Sequence, residues 1–314
     1  MKRKAVLIVN LGTPDAPTSE KVKEYLSVFL SDKRVINKPD IVWKPILNGI
    51  ILKKRPPKVA KEYEKIWTSE GSPLRVYTQA QRKNLADILG DEYTVAFAMS
   101  YSHPRVAETI EQLLKLGIES LTVVPLYPQY SGTTVGSIYD DVSGVFTKTE
   151  KIIDIRFISR FYKHPLYVSY YNKKIKNQIA KKDVDAILFS YHNIPQEYAD
   201  NGDPYPKECE ETTHLIMNGI DKPFFTAYQS IFGKDPWMKP QTDITIKELP
   251  TKGIKKLLVV APGFVSDCLE TLIELDVENR EYFLEAGGSE FTYLPAFNND
   301  IEIANIIADI VKNN

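Results

Sequence analysis

The feature that most constrains this chain is a repeated exchange of short, nearly unbroken apolar runs for longer runs with helical spacing. Strands are predicted over Lys4–Leu11, Tyr93–Met99, Ser120–Tyr127 and Lys151–Ile158. A second set is predicted over Val184–Ser190, Phe224–Tyr228, Lys256–Ala261 and Glu290–Leu294. Between strands of the first set, Pro104–Leu116 places Val106, Ile110, Leu113 and Leu114 at helical intervals. Further helices are expected over Leu166–Lys181, Lys207–Asn218, Asp243–Leu249, Leu269–Glu285 and Asp300–Val311. Strands without polar alternation are covered on both faces, which happens when helices cross between parallel strands. Two such sets predict an α/β protein of two similar doubly wound parallel-sheet domains, Rossmann- or flavodoxin-like, with a cleft between them. The domains expected are 1–163 and 164–314, with the last helix able to pack back on the first. Residues 18–75 break the alternation and read as helices packed on the first domain, with an apolar, basic stretch that could overhang a cleft.

Composition removes several function classes. Forty basic residues against forty-one acidic ones leave a net charge of -1, so no global field recruits nucleic acid. Cys209 and Cys268 stand far apart with no CxxC or Cys/His spacing, which argues against a zinc finger or an iron–sulfur cluster and fits a reducing cytoplasm. The opening MKRK and the apolar Ala5–Val9 are too short for a secretory signal and read as a first strand. No stretch reaches the ~18 apolar residues of a membrane span. Ile41–Leu52 comes nearest and is interrupted by Lys44, Pro45 and Asn48.

In doubly wound folds, ligands sit at the carboxyl ends of the strands, and four segments fall there. His192, in Ser190-Tyr191-His192-Asn193-Ile194-Pro195, closes an apolar strand, where an imidazole can take a proton, bind a borderline metal or brace the turn. After Lys256–Ala261, helical spacing puts Asp267, Glu270, Glu274 and Glu278 on one stripe, with Glu274 and then Glu278 each about 6 Å further along than the glutamate before it, beside an apolar stripe of Leu269, Leu272, Ile273 and Val277. Like charges at this spacing repel. Such a row is either a solvated face or a device for handling cations and protons. Tyr127–Ser137 opens a helix whose amides and hydroxyls suit an anion or a plain cap. Tyr228-Gln229-Ser230 with Asp235-Pro236-Trp237 suits stacking on a flat ligand or core packing.

Together these segments resemble the ferrochelatase family. The resemblance rests on Asn10-Leu11-Gly12-Thr13-Pro14, Trp67-Thr68-Ser69-Glu70-Gly71-Ser72-Pro73-Leu74, Tyr127-Pro128-Gln129-Tyr130-Ser131, the His192 segment, Gly202-Asp203-Pro204-Tyr205-Pro206, Tyr228-Gln229-Ser230, Gly233-Lys234-Asp235-Pro236-Trp237 and Gly263–Glu278, in family order over nearly the whole chain. It implies a lyase-type metal chelatase that inserts ferrous iron into a porphyrin held between the domains. His192 and Glu270 would face each other as catalytic and metal-binding residues, with Asp267, Glu274 and Glu278 as a proton or metal relay. Leu11, Tyr130, Ser131, Tyr191, Ser230 and Trp237 would contact porphyrin. The segment from about Leu26 to Tyr63 would form a lip, open to peripheral contact with the inner face of a membrane. Iron is then a substrate, and no cofactor or iron–sulfur cluster is implied.

The residue types suit that reaction, because a porphyrin must lose two protons while a divalent cation arrives. The lip and Leu11 favour protoporphyrin IX, with coproporphyrin III as the alternative. Cys268, Ser100 and Ile231 stand where the family usually has a histidine, an arginine and a basic residue, which bears on the metal route and on the grip on propionates. Rival readings are a cobalt or nickel chelatase, separable by a metal-selectivity assay, and a haem carrier, which would need no proton route. A nucleotide-dependent oxidoreductase is disfavoured by the lack of a glycine-rich fingerprint after any strand.

Overall fold

The computed structural model describes residues 4–233 and 235–313. Met1–Arg3 of the opening segment and Lys234 of the Gly233–Trp237 motif lie outside the described residues. Two compact units emerge. One runs through Arg160 and is completed by the chain from Asn299 onward; the other is Phe161–Asn298. The division falls just before the expected 163/164 boundary. The last helix, Ile301–Asn313, belongs to the first unit, where it packs on the helix Pro73–Leu89. Its final carbonyls are capped by a basic side chain: Arg156 donates to the oxygens of Ile310 (2.8 Å) and Val311 (3.3 Å).

The first unit holds β1 (Lys4–Asn10), β2 (Tyr93–Met99), β3 (Ser120–Pro125) and β4 (Asp154–Phe157) in the order β2-β1-β3-β4, all parallel. The second holds β5 (Ala186–His192), β6 (Phe224–Gln229), β7 (Lys256–Val260) and β8 (Glu290–Leu294) in the order β6-β5-β7-β8, again parallel. The two sheets therefore share one topology. Their central strands are fully buried, as in Leu7, Val9 and Val123 of the first sheet and Leu188, Leu257 and Val259 of the second, so burial of these runs is the main force that orders both sheets. In each sheet the strand order reverses beside the first strand, between β1 and β3 and between β5 and β7. That reversal opens a crevice at the carboxyl ends of those strands. Gly12 follows β1 with φ +107°, and a Cβ there would lie 2.8 Å from the Ser102 hydroxyl oxygen. Only glycine fits this turn.

Two local expectations are corrected. The segment after Tyr127 does not open directly into an α-helix: Gly132–Gly136 winds as a π-helical turn before the α-helix Ser137–Phe146. The expected α-helix Leu269–Glu285 is π-helical over Glu270–Asn279 and α-helical over Arg280–Glu285. A π turn closes i→i+5, so a four-residue step stays within one turn instead of overrunning it. The acidic residues still form one row. The apolar stripe, however, moves: Thr271, Ile273, Leu275 and Asn279 are buried, whereas Val277 is exposed.

Candidate active site

In the second unit, His192 is the last residue of β5, in register with Gln229 of β6. Glu270 opens the π-helix that follows β7. The two residues thus leave the two strands that flank the topological reversal. The imidazole reaches solvent, yet protein crowds it at longer range. That desolvation lowers its pKa from the ordinary value, while the nearby Glu270 charge pulls it back up. His192 is consequently a neutral base near pH 7, with a carboxylate close enough to be felt.

The chain just past His192 is tied to the Trp237 loop. Asn193 donates from its backbone to the Gln229 carbonyl (2.8 Å) and from Nδ2 to Met238 (3.1 Å), and Gln196 donates to the Pro236 carbonyl (2.9 Å). Trp237 is half-buried, bridges to Pro195, and its indole N–H is spent on the Phe232 carbonyl at 3.0 Å. With its polar handle used internally, Trp237 is held beside the histidine segment through its bridge to Pro195.

The acidic row separates into two kinds of residue. Glu270, Glu274 and Glu278 are half-buried on the π-helix. Burial pushes Glu274 up to about 7, helped by the charges of Glu270 and Glu278 and opposed by hydrogen bonds from Ser230. Asp267 does not join this row. It lies in the turn before the helix, buried, and accepts from Tyr293 (2.7 Å), Thr271 (2.9 Å) and Asn298 Nδ2 (2.7 Å). A carboxylate with three neutral donors is an anchor for the turn, and Asp267 stands apart from the row of glutamates.

Glu274 carries a prediction for stability. Its folded pKa of about 7 exceeds the ordinary 4.5, so the folded chain holds this proton more tightly than the unfolded chain does. The resulting stabilisation is complete below pH 4.5 and is lost as pH rises through 7. Glu274→Gln is expected to gain about 1–2 kcal/mol on wild type between mildly acidic and mildly alkaline buffer. Thermal melts of both proteins across that range check this, and a constant difference would refute it.

The structure buries two residues expected to contact porphyrin. Tyr191 is fully buried, with its hydroxyl on Thr213 at 3.0 Å, because successive side chains of β5 point to opposite faces. Ser131 is buried as a cap: its Oγ accepts from the Thr133 N–H (3.2 Å), and its carbonyl takes the N–H groups of Thr134 (3.3 Å) and Gly136 (3.1 Å). Those amides are therefore not an open anion cradle. Leu11 and Tyr130 are half-buried at the same edge of the first sheet, with the Arg160 guanidinium 5.3 Å from the Tyr130 ring centre. Ser100 is buried and its carbonyl accepts from Arg105 at 2.7 Å, so a guanidinium does reach this place from five residues on. Ile231 is exposed, and burial pushes the Cys268 thiol well up.

Sequence reasoning missed the polar bracket behind the site. Ser190 donates to Gln229 Oε1 (2.7 Å) and sits 2.8 Å from the Thr242 hydroxyl, and Gln229 Nε2 donates to the Glu270 carbonyl (3.2 Å). Polar residues inside an apolar strand pattern are the only sequence signal for it.

The lip also divides. Trp43, Leu47 and Ile51 are buried, with the Trp43 indole on the Leu30 carbonyl at 2.6 Å. Ile41, Val42, Ile46 and Ile50 are exposed, Ile41 to 85%. Lys53, Lys54 and Arg55 are exposed beside them. Among the described residues, no helix is long and apolar enough to cross a membrane.

Known proteins resemble this chain over nearly its whole length. Residues 3–314 match the family model described as ferrochelatase. The chain is 53% identical to a coproporphyrin III ferrochelatase of Enterococcus faecalis over 313 residues, covering 99% of this chain and 100% of that protein. It is 46% identical to a ferrochelatase of Hamiltonella defensa, covering 98% and 97%. Among solved structures, SirB of Bacillus subtilis with Fe3+ shares the fold at 13% identity, with a TM-score of 0.60 and coverage of 99% and 94%.

Proposed function

The chain belongs to the ferrochelatase family, and on that premise we propose that His192 and Glu270 are the pair that exchanges two pyrrole protons for iron. The protein inserts ferrous iron into a porphyrin in haem synthesis. Iron enters and leaves the reaction divalent, so the step needs no electron carrier. The supporting observation is the placement of a neutral imidazole at the end of β5 and a carboxylate at the start of the π-helix that follows β7, the two strands that flank the reversal of strand order. His192 accepts a proton from a pyrrole nitrogen or offers its lone pair to the incoming metal. Glu270 passes the second proton to Glu274 and then Glu278, and stabilises the charge that develops as iron displaces hydrogen. Nitrogen and oxygen ligation of this kind suits a metal that must be released into a macrocycle. Trp237 beside the histidine segment supports the reading of a flat, apolar substrate. Asp267 serves as the anchor that sets the entry angle of the π-helix.

The 53% identical relative favours coproporphyrin III as the porphyrin. Leu11 and the exposed lip favour protoporphyrin IX as a second reading. Incubation of the protein with ferrous iron and each porphyrin in turn, without oxygen, should replace the free-porphyrin absorption bands with those of the iron complex. Turnover with one porphyrin only selects that reading, and no change with either refutes insertion.

Ile41, Val42, Ile46 and Ile50 form an apolar stripe edged by Lys53, Lys54 and Arg55. We read it as a wall for the macrocycle or as a peripheral contact of a cytoplasmic protein with an anionic membrane. An Ile46→Glu, Ile50→Glu double variant is expected to raise the porphyrin KM about fivefold or to lose binding to phosphatidylglycerol vesicles by a similar factor. Wild-type values in both measurements would show that the stripe serves neither.

A further inference from the structure

From the geometry around Ser230 we propose that this residue is a positioning residue, holding the Glu274 carboxylate in line for the relay instead of touching porphyrin. The inference rests on the reading of Glu274 as a relay member. Ser230 N–H donates to Glu274 Oε1 at 2.7 Å, and its hydroxyl donates to Oε2 of the same carboxylate. One residue thus grips both oxygens.

The backbone explains how. Ser230 has φ +67°, a left-handed conformation that side chains other than glycine and asparagine seldom adopt. Glycine would take this turn without strain. A serine gains nothing for the turn itself. It adds the hydroxyl, and the left-handed turn brings N–H and O–H to the same partner.

The rest of the Tyr228-Gln229-Ser230 turn works in the same direction. Gln229 Nε2 holds the Glu270 carbonyl (3.2 Å), and Asn279 Nδ2 holds the Glu274 carbonyl (2.7 Å). The backbone of the π-helix is therefore pinned at both acidic residues, and Ser230 fixes the remaining freedom, the Glu274 side chain. That freedom matters because Glu270 and Glu278 act on Glu274 with like charge from either side. An untethered carboxylate would swing away from both and lengthen the step between them. The grip also occupies the Ser230 hydroxyl, so it is not free to hold a substrate propionate.

The test compares Ser230→Gly, Ser230→Ala, Glu274→Gln and the Ser230→Gly, Glu274→Gln double variant, using the full chain. Steady-state rates are measured against ferrous iron and against porphyrin separately, with thermal melts on the same samples. Ser230→Gly keeps the backbone conformation and the N–H donor and loses only the hydroxyl. It is expected to lower kcat/KM for iron about tenfold, the effect of one lost hydrogen bond to a charged group. The porphyrin KM should stay within about twofold, and the melting temperature should hold or rise. Ser230→Ala should lose the same factor. The double variant should be no more than about twofold worse than Glu274→Gln, because residues that act through one another are not additive. A porphyrin KM that rises with the loss of the hydroxyl would overturn the proposal, as would losses that multiply in the double variant. Wild-type behaviour of Glu274→Gln would refute the relay itself. Impaired Glu274→Gln beside unimpaired Ser230→Gly and Ser230→Ala would refute the clamp alone.

Discussion

His192→Ala is expected to lower the rate of iron insertion by about two to four orders of magnitude, the usual cost of losing a positioned acid–base group, and to leave the fold intact. Stability should hold because the imidazole is exposed at the last position of β5, where the backbone keeps its pairing with Gln229. Activity should fall because the variant lacks the neutral imidazole at that edge. The pH dependence carries the sign. Desolvation by the protein crowded around it at longer range lowers the His192 pKa, so the wild-type enzyme should lose activity only below the ordinary histidine range, as the imidazole takes a proton and stops accepting one. The residual rate of the variant should lack that acidic limb. Added imidazole, able to enter the space left by the side chain, should restore part of the rate. Near-normal turnover in the variant, with an unchanged acidic limb, would remove His192 from the mechanism.

Glu270→Gln is expected to reduce kcat by about a hundredfold with little change in porphyrin KM, because the lost interaction belongs to the transition state. Glutamine keeps the size and hydrogen bonding of the side chain and loses its charge and basicity. The variant has a second consequence that does not depend on turnover. The Glu270 charge raises the His192 pKa against the effect of burial. Its removal should shift the His192 titration to lower pH, measurable by NMR of labelled histidine. Glu274→Gln should cost less activity, and Glu278→Gln should act mainly on apparent iron affinity. Equal and small effects at all three positions would reduce the row to a solvated acidic face and leave His192 without a partner. An unchanged His192 titration in Glu270→Gln would break the electrostatic link between the two.

The strands and their parallel pairing were legible in the amino-acid sequence, as was the edge on which the candidate residues fall. The run ending at His192 has no polar alternation until its last turn, so it must be covered on both faces, and its carboxyl end must be where polar groups emerge. The spacing of Glu270, Glu274 and Glu278 was equally plain, since a four-residue step makes a row in either kind of helix. The winding was not. An α and a π turn differ by one position in each hydrogen bond, and no side-chain propensity distinguishes them. A contact from afar coincides with the wider turn: Gln229 of another strand holds the Glu270 carbonyl.

The same limit explains the residues whose roles changed. Tyr191 and His192 are neighbours on one strand and point to opposite faces, yet which face a helix covers depends on the placement of Tyr205–Met217, whose Thr213 receives the Tyr191 hydroxyl. Ser131 and Asp267 have the residue types of binding groups, and only folding supplies the donors that convert them into caps: Thr133 for one, Tyr293 and Asn298 for the other. Local sequence thus determined where apolar surface had to be buried, because burial is nearly independent of partner. Tertiary structure decided which polar side chains remain available for chemistry, because a hydrogen bond is directional and its partner can lie anywhere in the chain.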